Sequence, residues 1–353
     1  MSYKVAVIPG DGIGSEVTQE AVRALQQLSS RPGLSIDFEE YPYSCGYYLE
    51  HGVMMPDGAL EALDESDAIL LGAVGYPGVP DHVSLWGLLI PIRRTFRQYV
   101  NLRPVRLLRG LSSPLRDRGP EDIDFLIVRE NNEGEYSEIG GRLYDGTDEA
   151  IAMQSTVFTQ KGVERVLQFA FDQARRRPKQ HVTSATKSNG IKHTMPFWDE
   201  AVAKFAEHYP DVTTDQYHID ILAAHFVAHP DWFDVVVGSN LFGDILSDLG
   251  PAVAGGIGVA PSANLNPTRE KPSMFEPVHG SAPDIAGKGI ANPIAALWSA
   301  SMLLDHLGET TPAADLLNAI EAVSGEGKVV TPDLGGTATT RSLTNRVLAE
   351  LKS

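Results

Sequence analysis

The stretch "NLFGDILSDLG" places Asp244 and Asp248 four residues apart, directly after the apolar run "DVVVGS". On a helix that spacing puts two carboxylates on one face, where they repel unless a cation lies between them. A solvated helix face accounts for the pair equally well. A third carboxylate, Asp220 in "QYHIDILAAHF", stands where a strand-like stretch gives way to a helical one. By itself it reads as an N-cap. Together the three offer hard oxygen donors suited to Mg2+ or Mn2+, and no Cys/His cluster suggests zinc.

Arginine gathers in "LLIPIRRTFRQYVNLRP" as Arg93, Arg94, Arg97 and Arg103, and "FLIVREN" ends an apolar run on Arg129. Arginine is the residue for two-pronged clamping of a carboxylate. Arg93, Arg94 and Arg97 also suit the wet face of a helix. Arg129 is the more telling, because a charge ending a buried strand faces a cleft. Tyr136 in "RENNEGEYSEIGGR" and Lys187 in "VTSATKSNGIKHT" complete the set. Each has an ordinary reading, as a ring that packs and a surface amine. A lysine among cations gives up its proton more readily and can act as a general base, with a tyrosine as proton donor.

The elements that must position these groups follow from hydrophobic periodicity. Short β-branched runs recur at 4–8, 35–41, 68–73, 125–129, 181–185 and 234–238. Several are apolar on successive residues, the pattern of strands covered on both faces. Helical patterns lie between them, at 16–29, 161–177 and 292–308, the last with Asn292 as N-cap and Pro293 in the first turn. Alternation of strand and helix over most of the length predicts an α/β fold. Residues 138–159 read as an antiparallel projection. Residues 255–289 are Gly/Pro-rich and predict a long functional loop with little regular structure.

Bulk properties bound the partners. The chain has 353 residues, enough for two fused domains, and a formal net charge of −17, which opposes a nucleic-acid or anionic-membrane partner. Any anion site must therefore gather its positive charge locally. The only cysteine, Cys45, excludes an internal disulfide and reads as a small buried hydrophobe. No apolar run approaches the ~18 residues of a membrane span. The expected location is the cytoplasm.

Taken together, "VAVIPGDGIGSEV", "NLRP", "RENNEGEY", "NLFGDILSDLG" and "EPVHGSAPDIAGKGIANPIAA" resemble, in this order and over essentially the whole chain, the β-decarboxylating dehydrogenases. This family comprises the isopropylmalate, isocitrate, tartrate and D-malate dehydrogenases. Within it, "DHVSLWGLLIPIRRTFRQYVNLRPVRL" is most similar to the tartrate/D-malate branch. The resemblance assigns Trp86 the place of a glutamate in isopropylmalate dehydrogenases, so that it fills the space of a side group. Leu88, Leu89 and Ile90 remain able to line an isopropyl pocket, and 3-isopropylmalate dehydrogenase is the competing reading. A non-catalytic nucleotide-binding protein on the same fold is the remote one.

The resemblance implies a role for each residue. Arg93, Arg103 and Arg129 would grip the carboxylate that leaves as CO2. Asp244 and Asp248 would hold Mg2+ or Mn2+, joined by Asp220 of a partner subunit. Lys187, also from the partner, would accept the C2 hydroxyl proton, and Tyr136 would return a proton to C3. D-Malate would give pyruvate, and tartrate oxaloglycolate. The cofactor would be NAD+: Asp284, followed by Ile285, suits adenosine ribose hydroxyls and repels a 2′-phosphate. Ile13, His279, Gly280, Ser281, Ala282 and Asn292 would complete that site, and K+ activation is implied without a residue to carry it.

The expected architecture is two α/β domains around a cleft and not a Rossmann dinucleotide fold. One domain would take 1–105 and 256–353, the other 106–255, with 138–159 as an intersubunit arm of a homodimer. The opening "PGDGIGSEV" is a near miss for a dinucleotide turn. Its third glycine falls one residue early, although Asp37 sits about 20 residues on, where a ribose-binding acid would. The resemblance moves the adenosine site to 279–292 and leaves the opening turn beside the nicotinamide, its glycines allowing close approach to the ligand.

Overall fold

In a computed structural model, which describes residues 2–351, the chain folds around one mixed sheet of ten strands. In chain order the strands are β1 (Ser2–Gly10), β2 (Ser35–Glu40), β3 (Ala68–Ala73), β4 (Val100–Arg106), β5 (Asp124–Glu130), β6 (Gly140–Leu143), β7 (Ile151–Gln154), β8 (His181–Thr186), β9 (Thr213–His218), β10 (Val235–Gly238), β11 (Pro261–Leu265) and β12 (Ser273–Pro277). The sheet order is β2-β1-β3-β12-β11-β4-β5-β10-β8-β9, and β6 and β7 form a separate hairpin.

Strand direction divides this sheet. The set β2, β1, β3 and β12 is parallel, as is the set β5, β10, β8 and β9. Between them β11 pairs antiparallel with both β12 and β4, and β4 pairs antiparallel with β5. The two parallel sets therefore run in opposite directions. The α/β expectation holds, and the topology is not that of a single Rossmann domain.

The pleat sends alternate residues to opposite faces. Val5, Val7, Val128, Val235 and Val237 enter one apolar core that runs beneath both sets, covered by helices Ile13–Ser29, Gln160–Arg175, Thr194–Ala206 and Ile294–Leu307. On the other face the core is split. Ala6, Ile8, Ile69, Leu71 and Met274 pack with Cys45, Leu88 and Ile92 on one side. Val105, Phe125, Ile127 and Val236 pack with Leu222, Phe226, Phe242 and Leu246 on the other. The gap between these two cores is the cleft.

Residues 255–289 differ from expectation. They contain β11 and β12, both fully buried at the centre of the sheet. These strands escape a search for apolar runs because Ser262, Asn264 and Glu276 occupy alternate positions facing the gap. The same holds for β4, whose Asn101 and Arg103 are buried polar groups. A hydrogen-bonded network joins them: Asn101 Nδ2 donates to Ser262 Oγ (2.8 Å) and Asn264 Oδ1 (3.1 Å), and Asn264 Nδ2 donates to Glu276 Oε1 (2.7 Å). Buried polar groups require such partners, so the floor of the cleft is polar and hydrogen-bonded across three strands.

Other elements lie close to expectation. The helix at 292–308 begins at Ile294, and Asn292 Oδ1 accepts the Ile294 N–H at 3.0 Å, a capping bond from two positions upstream. Residues 138–159 form the projecting β6–β7 hairpin, every strand residue of it exposed. Cys45 is fully buried, and burial first, with Asp11 second, pushes its thiol up to about 12, so it is inert. Among the described residues no helix is long and apolar enough to cross a membrane.

Candidate active site

A pocket of about 220 Å3 opens in the gap, lined by Leu85, Ile90, Arg93, Arg94, Arg103, Arg129, Asn131, Asn132, Tyr136, Asn240 and Asp244. The sequence scattered these residues over more than a hundred positions. The sheet gathers them because β4 and β5 are neighbours, which brings Asn101 opposite Arg129, while helix Asn240–Val253 starts just after β10.

Arg129 is 4% exposed. Its Nη1 donates to Asp244, and Nε and Nη2 both donate to Asn240 Oδ1, at 3.0 and 2.7 Å. Burial lowers this guanidinium to about 10, against the opposing pull of Asp244. The helix carrying Asp244 approaches this closely because residue 243 is glycine: a Cβ there would stand 2.5 Å from Arg129 Cβ. Arg103 donates to Asn101 Oδ1 (2.8 Å), Ser247 Oγ (2.7 Å) and Asp248 Oδ1 (3.3 Å). Arg93 meets Glu276 at 3.0 Å, and its Nε is buried without a partner. A guanidinium donor without a protein partner, in a pocket of arginines, fits an anionic ligand such as a carboxylate.

Asp244 is the acid at the centre. Burial would raise its pKa, but Arg129, Arg103 and the Tyr136 hydroxyl outweigh burial and hold it below the usual carboxylate range. Tyr136 Oη donates to Asp244 Oδ2 at 3.0 Å. Burial and then the Asp244 charge raise the tyrosine pKa, so the phenol keeps its proton at neutral pH.

The three glutamates of "RENNEGEY" explain why that run is where it is. Glu130 accepts the N–H groups of Asn132 (3.0 Å) and Glu133 (2.8 Å), closing the turn after β5. Glu133 accepts from Thr159 N and Oγ1 at the start of helix Gln160–Arg175. Glu135 accepts Ser239 Oγ (2.8 Å) and Leu241 N (3.0 Å) at the start of the Asp244 helix. Carboxylates at helix N-termini satisfy orphan donors and suit the macrodipole. Sequence reading missed these anchors, although their spacing from Tyr136 was visible.

Lys187 and Asp220 lie elsewhere. Lys187 follows β8 and Asp220 follows β9, the edge strand, and the two pair with each other at 2.6 Å. Among the described residues no group of three or more His, Cys, Asp or Glu side chains converges as a metal site. One chain thus brings Asp244 and Asp248 together on one helix and leaves Asp220 out. The donors are all carboxylates, which fits a hard divalent cation.

The helix that faces the substrate side differs from expectation. Trp86 and Leu89 do not line the pocket; Leu85 and Ile90 do. Trp86 instead borders a separate groove with Tyr48, Met54 and His82, and Leu89 packs on the apolar core. The cause is a π-helical turn at Leu85–Leu89, whose wider winding rotates the side chains away from the phase of a regular helix. Arg94, which sequence reading left as a wet helix face, does line the pocket, whereas Arg97 is exposed.

The nucleotide candidates cluster after β12. His279 is buried, burial lowers its pKa, and its Nε2 has no partner. Beside it Gly280 is exposed with open space around its Cα. A buried unpaired nitrogen next to open backbone fits a polar cofactor. Asn292 Nδ2 donates to Asp333 Oδ2 at 2.9 Å, which adds the loop of Asp333 to this region. Asp284 is exposed and Ile285 half-buried. The opening turn reaches the same place. Gly12 has φ +58, and a Cβ there would stand 2.0 Å from the Ser281 carbonyl oxygen, which accepts the Ile13 N–H at 2.8 Å. The close approach is therefore to Ser281 and not to a free ligand, and Ile13 buries its side chain in the core. Ala282 sits at φ +39 on this bend.

Residues 4–347 match the isocitrate/isopropylmalate dehydrogenase family. The chain is 55% identical over 350 residues to a tartrate dehydrogenase/decarboxylase of Pseudomonas putida, covering 97% of this chain and 96% of the relative. It is 55% identical over 353 residues to a D-malate dehydrogenase [decarboxylating] of Escherichia coli (strain K12), covering 98% of both. Among solved structures, isocitrate dehydrogenase from Methylococcus capsulatus superposes with a TM-score of 0.89 at 32% identity, over 99% of this chain and 100% of that one. The order of motifs, the split sheet and these matches agree: the chain belongs to the isocitrate/isopropylmalate dehydrogenase family.

Proposed function

We propose that this chain is a cytoplasmic, NAD-dependent dehydrogenase that oxidises a small 2-hydroxy dicarboxylic acid, D-malate or tartrate, and removes the β-carboxylate as CO2. The observation that carries the reading is the gathering of Arg93, Arg103 and Arg129 around Asp244 and Tyr136, in a chain whose net charge is −17. The named activities of the two relatives at 55% identity support the same substrate class.

When bound, Mg2+ or Mn2+ would supply Lewis-acid polarisation at the C2 oxygen and NAD+ would be the hydride acceptor. Arg93, Arg103 and Arg129 hold the carboxylate that departs, oriented by Glu276, Asn101 and Asn240. Lys187 accepts the hydroxyl proton. Tyr136, kept protonated by its surroundings, gives its proton to C3 after CO2 has left. Asp244, Asp248 and Asp220 would hold the metal, His279–Ala282, Asp284, Ile285 and Asn292 would hold the adenosine half, and K+ would be an activating ion.

Because Lys187 and Asp220 pair away from Asp244, the reading requires that a second subunit supply them, in a homodimer. The exposed apolar side chains of the hairpin, Ile139, Leu143, Ile151 and Met153, and of the helices, Ile221, Val227 and Ile245, are the surfaces available to such a partner. The domain division lies near 105 and 255.

Leu85 and Ile90 present an apolar wall, and on that wall rests the alternative, oxidation of 3-isopropylmalate. The deciding experiment is NADH formation with Mn2+ and K+ across D-malate, L- and meso-tartrate, isocitrate and 3-isopropylmalate. Highest kcat/KM for D-malate or a tartrate is expected; preference for isopropylmalate overturns the assignment.

A further inference from the structure

Arg94 has no part in the assignment above, yet its guanidinium lines the same pocket. It comes from helix Ile90–Thr95, between β3 and β4, on the side of the first parallel set. Its partners come from the far wall. Nη1 pairs with Glu138, and Nη2 donates to the Tyr136 backbone carbonyl at 3.1 Å. Both follow β5, on the side of the second set. Beneath the guanidinium lies the Trp86 ring, its centroid 5.2 Å away, a cation–π contact that restrains the side chain. Arg94 is thus a strut across the cleft whose far end is the backbone of the proton donor.

The neighbouring contacts show what the strut decides. The Tyr136 hydroxyl is fixed by Asp244, but Asp244 is also a candidate metal ligand, and an oxygen that shares its electrons with a cation accepts that bond more weakly. The flanks of Tyr136 are Glu135, tied to the Asp244 helix, and Ser137, tied to the Ser155 carbonyl. Among the described residues, Arg94 makes the side-chain hydrogen bond that reaches the main chain of residue 136 from the opposite wall. An exposed ion pair alone would contribute little, and the Glu138 side chain is 63% exposed. The carbonyl bond and the ring contact give the arrangement its geometry.

We propose that Arg94 is a positioning residue for Tyr136, holding its backbone across the cleft so that the phenol reaches C3 once the hydroxyl leaves Asp244. The inference rests on the assignment of Tyr136 as proton donor. In the step concerned, the Tyr136 O–H bond breaks and a C3–H bond forms on the enolate left by CO2. The phenolate is then reprotonated from water.

The step is separable from hydride transfer, because oxaloacetate supplied directly enters after oxidation. With the Mn2+-loaded enzyme, Arg94→Met is expected to lower kcat for converting oxaloacetate to pyruvate about 10- to 100-fold, the penalty of a misplacement near 1 Å, with KM changed less than about 3-fold. The first-turnover rate of NADH formation from D-malate should change less than about 3-fold. Arg94→Lys should recover part of the loss, and Glu138→Gln, which keeps the guanidinium, should show the same split at smaller size. Equal losses in both partial reactions, or a change in KM alone, would overturn the proposal. If the unaltered enzyme forms no NADH from D-malate or tartrate, the functional reading itself fails, and Arg94 falls with it.

Discussion

Arg129 and Lys187 each meet an aspartate, but in opposite settings. The Arg129 side chain is 5% exposed and shares its donors between Asp244 and Asn240. The side chains of Lys187 and Asp220 are 30% and 68% exposed, and the pair stands beyond the edge of the sheet. The first region is preassembled. Its arginine is buried and its aspartate half-buried, both are fixed by neighbours, and the pair is costly to unbalance. The second is a pair of groups that water already serves and that could exchange partners at low cost. A site shared between chains, as proposed, would use this asymmetry: one half rigid enough to define geometry, the other loosely held.

The largest test of this contrast is to remove one aspartate from each region. Asp244→Ala should abolish turnover by about 10³-fold or more and destabilise the fold by about 3 kcal/mol, because Arg129 is left buried without its counter-charge. Asp220→Ala should be as inactive but melt at the temperature of the unaltered protein. Equal shifts in Tm, followed by calorimetry, would erase the distinction.

A second test asks whether the two regions meet between chains. Inactive Lys187→Ala and inactive Asp244→Ala proteins, mixed through reversible denaturation, should recover about a quarter of full activity. Half of randomly paired dimers are mixed, and each has one intact site of two. Absence of recovery would place both regions in one chain's site.

A smaller effect is expected at the nucleotide end, which belongs to neither region. Asp284→Lys should lower kcat/KM for NAD+ about 10-fold and improve use of NADP+. Unchanged cofactor preference would move the adenosine ribose away from Asp284.

The smallest effect concerns pH and belongs to the buried region alone. Burial raises Glu130 to about 7, against the N–H groups of Asn132 and Glu133, from an ordinary value of 4.5. The folded chain therefore holds a proton that the unfolded chain has lost. Stability from this group is complete below about pH 4.5 and is lost as pH rises through 7. Tm should fall by about 2–4 °C across that window, and Glu130→Gln should flatten the slope. A variant with the same slope would show that Glu130 titrates normally. No such dependence is expected from the exposed edge.

How far all this was legible in the chain varies with the element. The parallel strands β1, β3, β5 and β10 announced themselves as apolar runs, as strands covered on both faces commonly are, and β8 as a β-branched run that buries Thr183, Ser184 and Thr186. The strands under the pocket did not. β4, β11 and β12 carry Asn101, Arg103, Ser262, Asn264 and Glu276 toward the cleft, so the polarity that makes the site also hides its strands. The Asp244–Asp248 spacing was readable on a helix, whereas Trp86 was assigned to a wall that the π-turn at Leu85–Leu89 gives to Leu85.

Residue order alone determined the family motifs, the alternation of strand and helix, and the supply of arginines, carboxylates, lysine and tyrosine for the chemistry. These are local properties, written in spacing and residue type. Tertiary structure alone decided which of them meet. It set Arg129 against Asp244, turned Gly12 toward Ser281, stretched Arg94 across to Tyr136, and sent Lys187 to Asp220 at the far edge. Such contacts depend on strand order, direction and the phase of one helical turn, and those are settled by packing the two sets of strands around a common core.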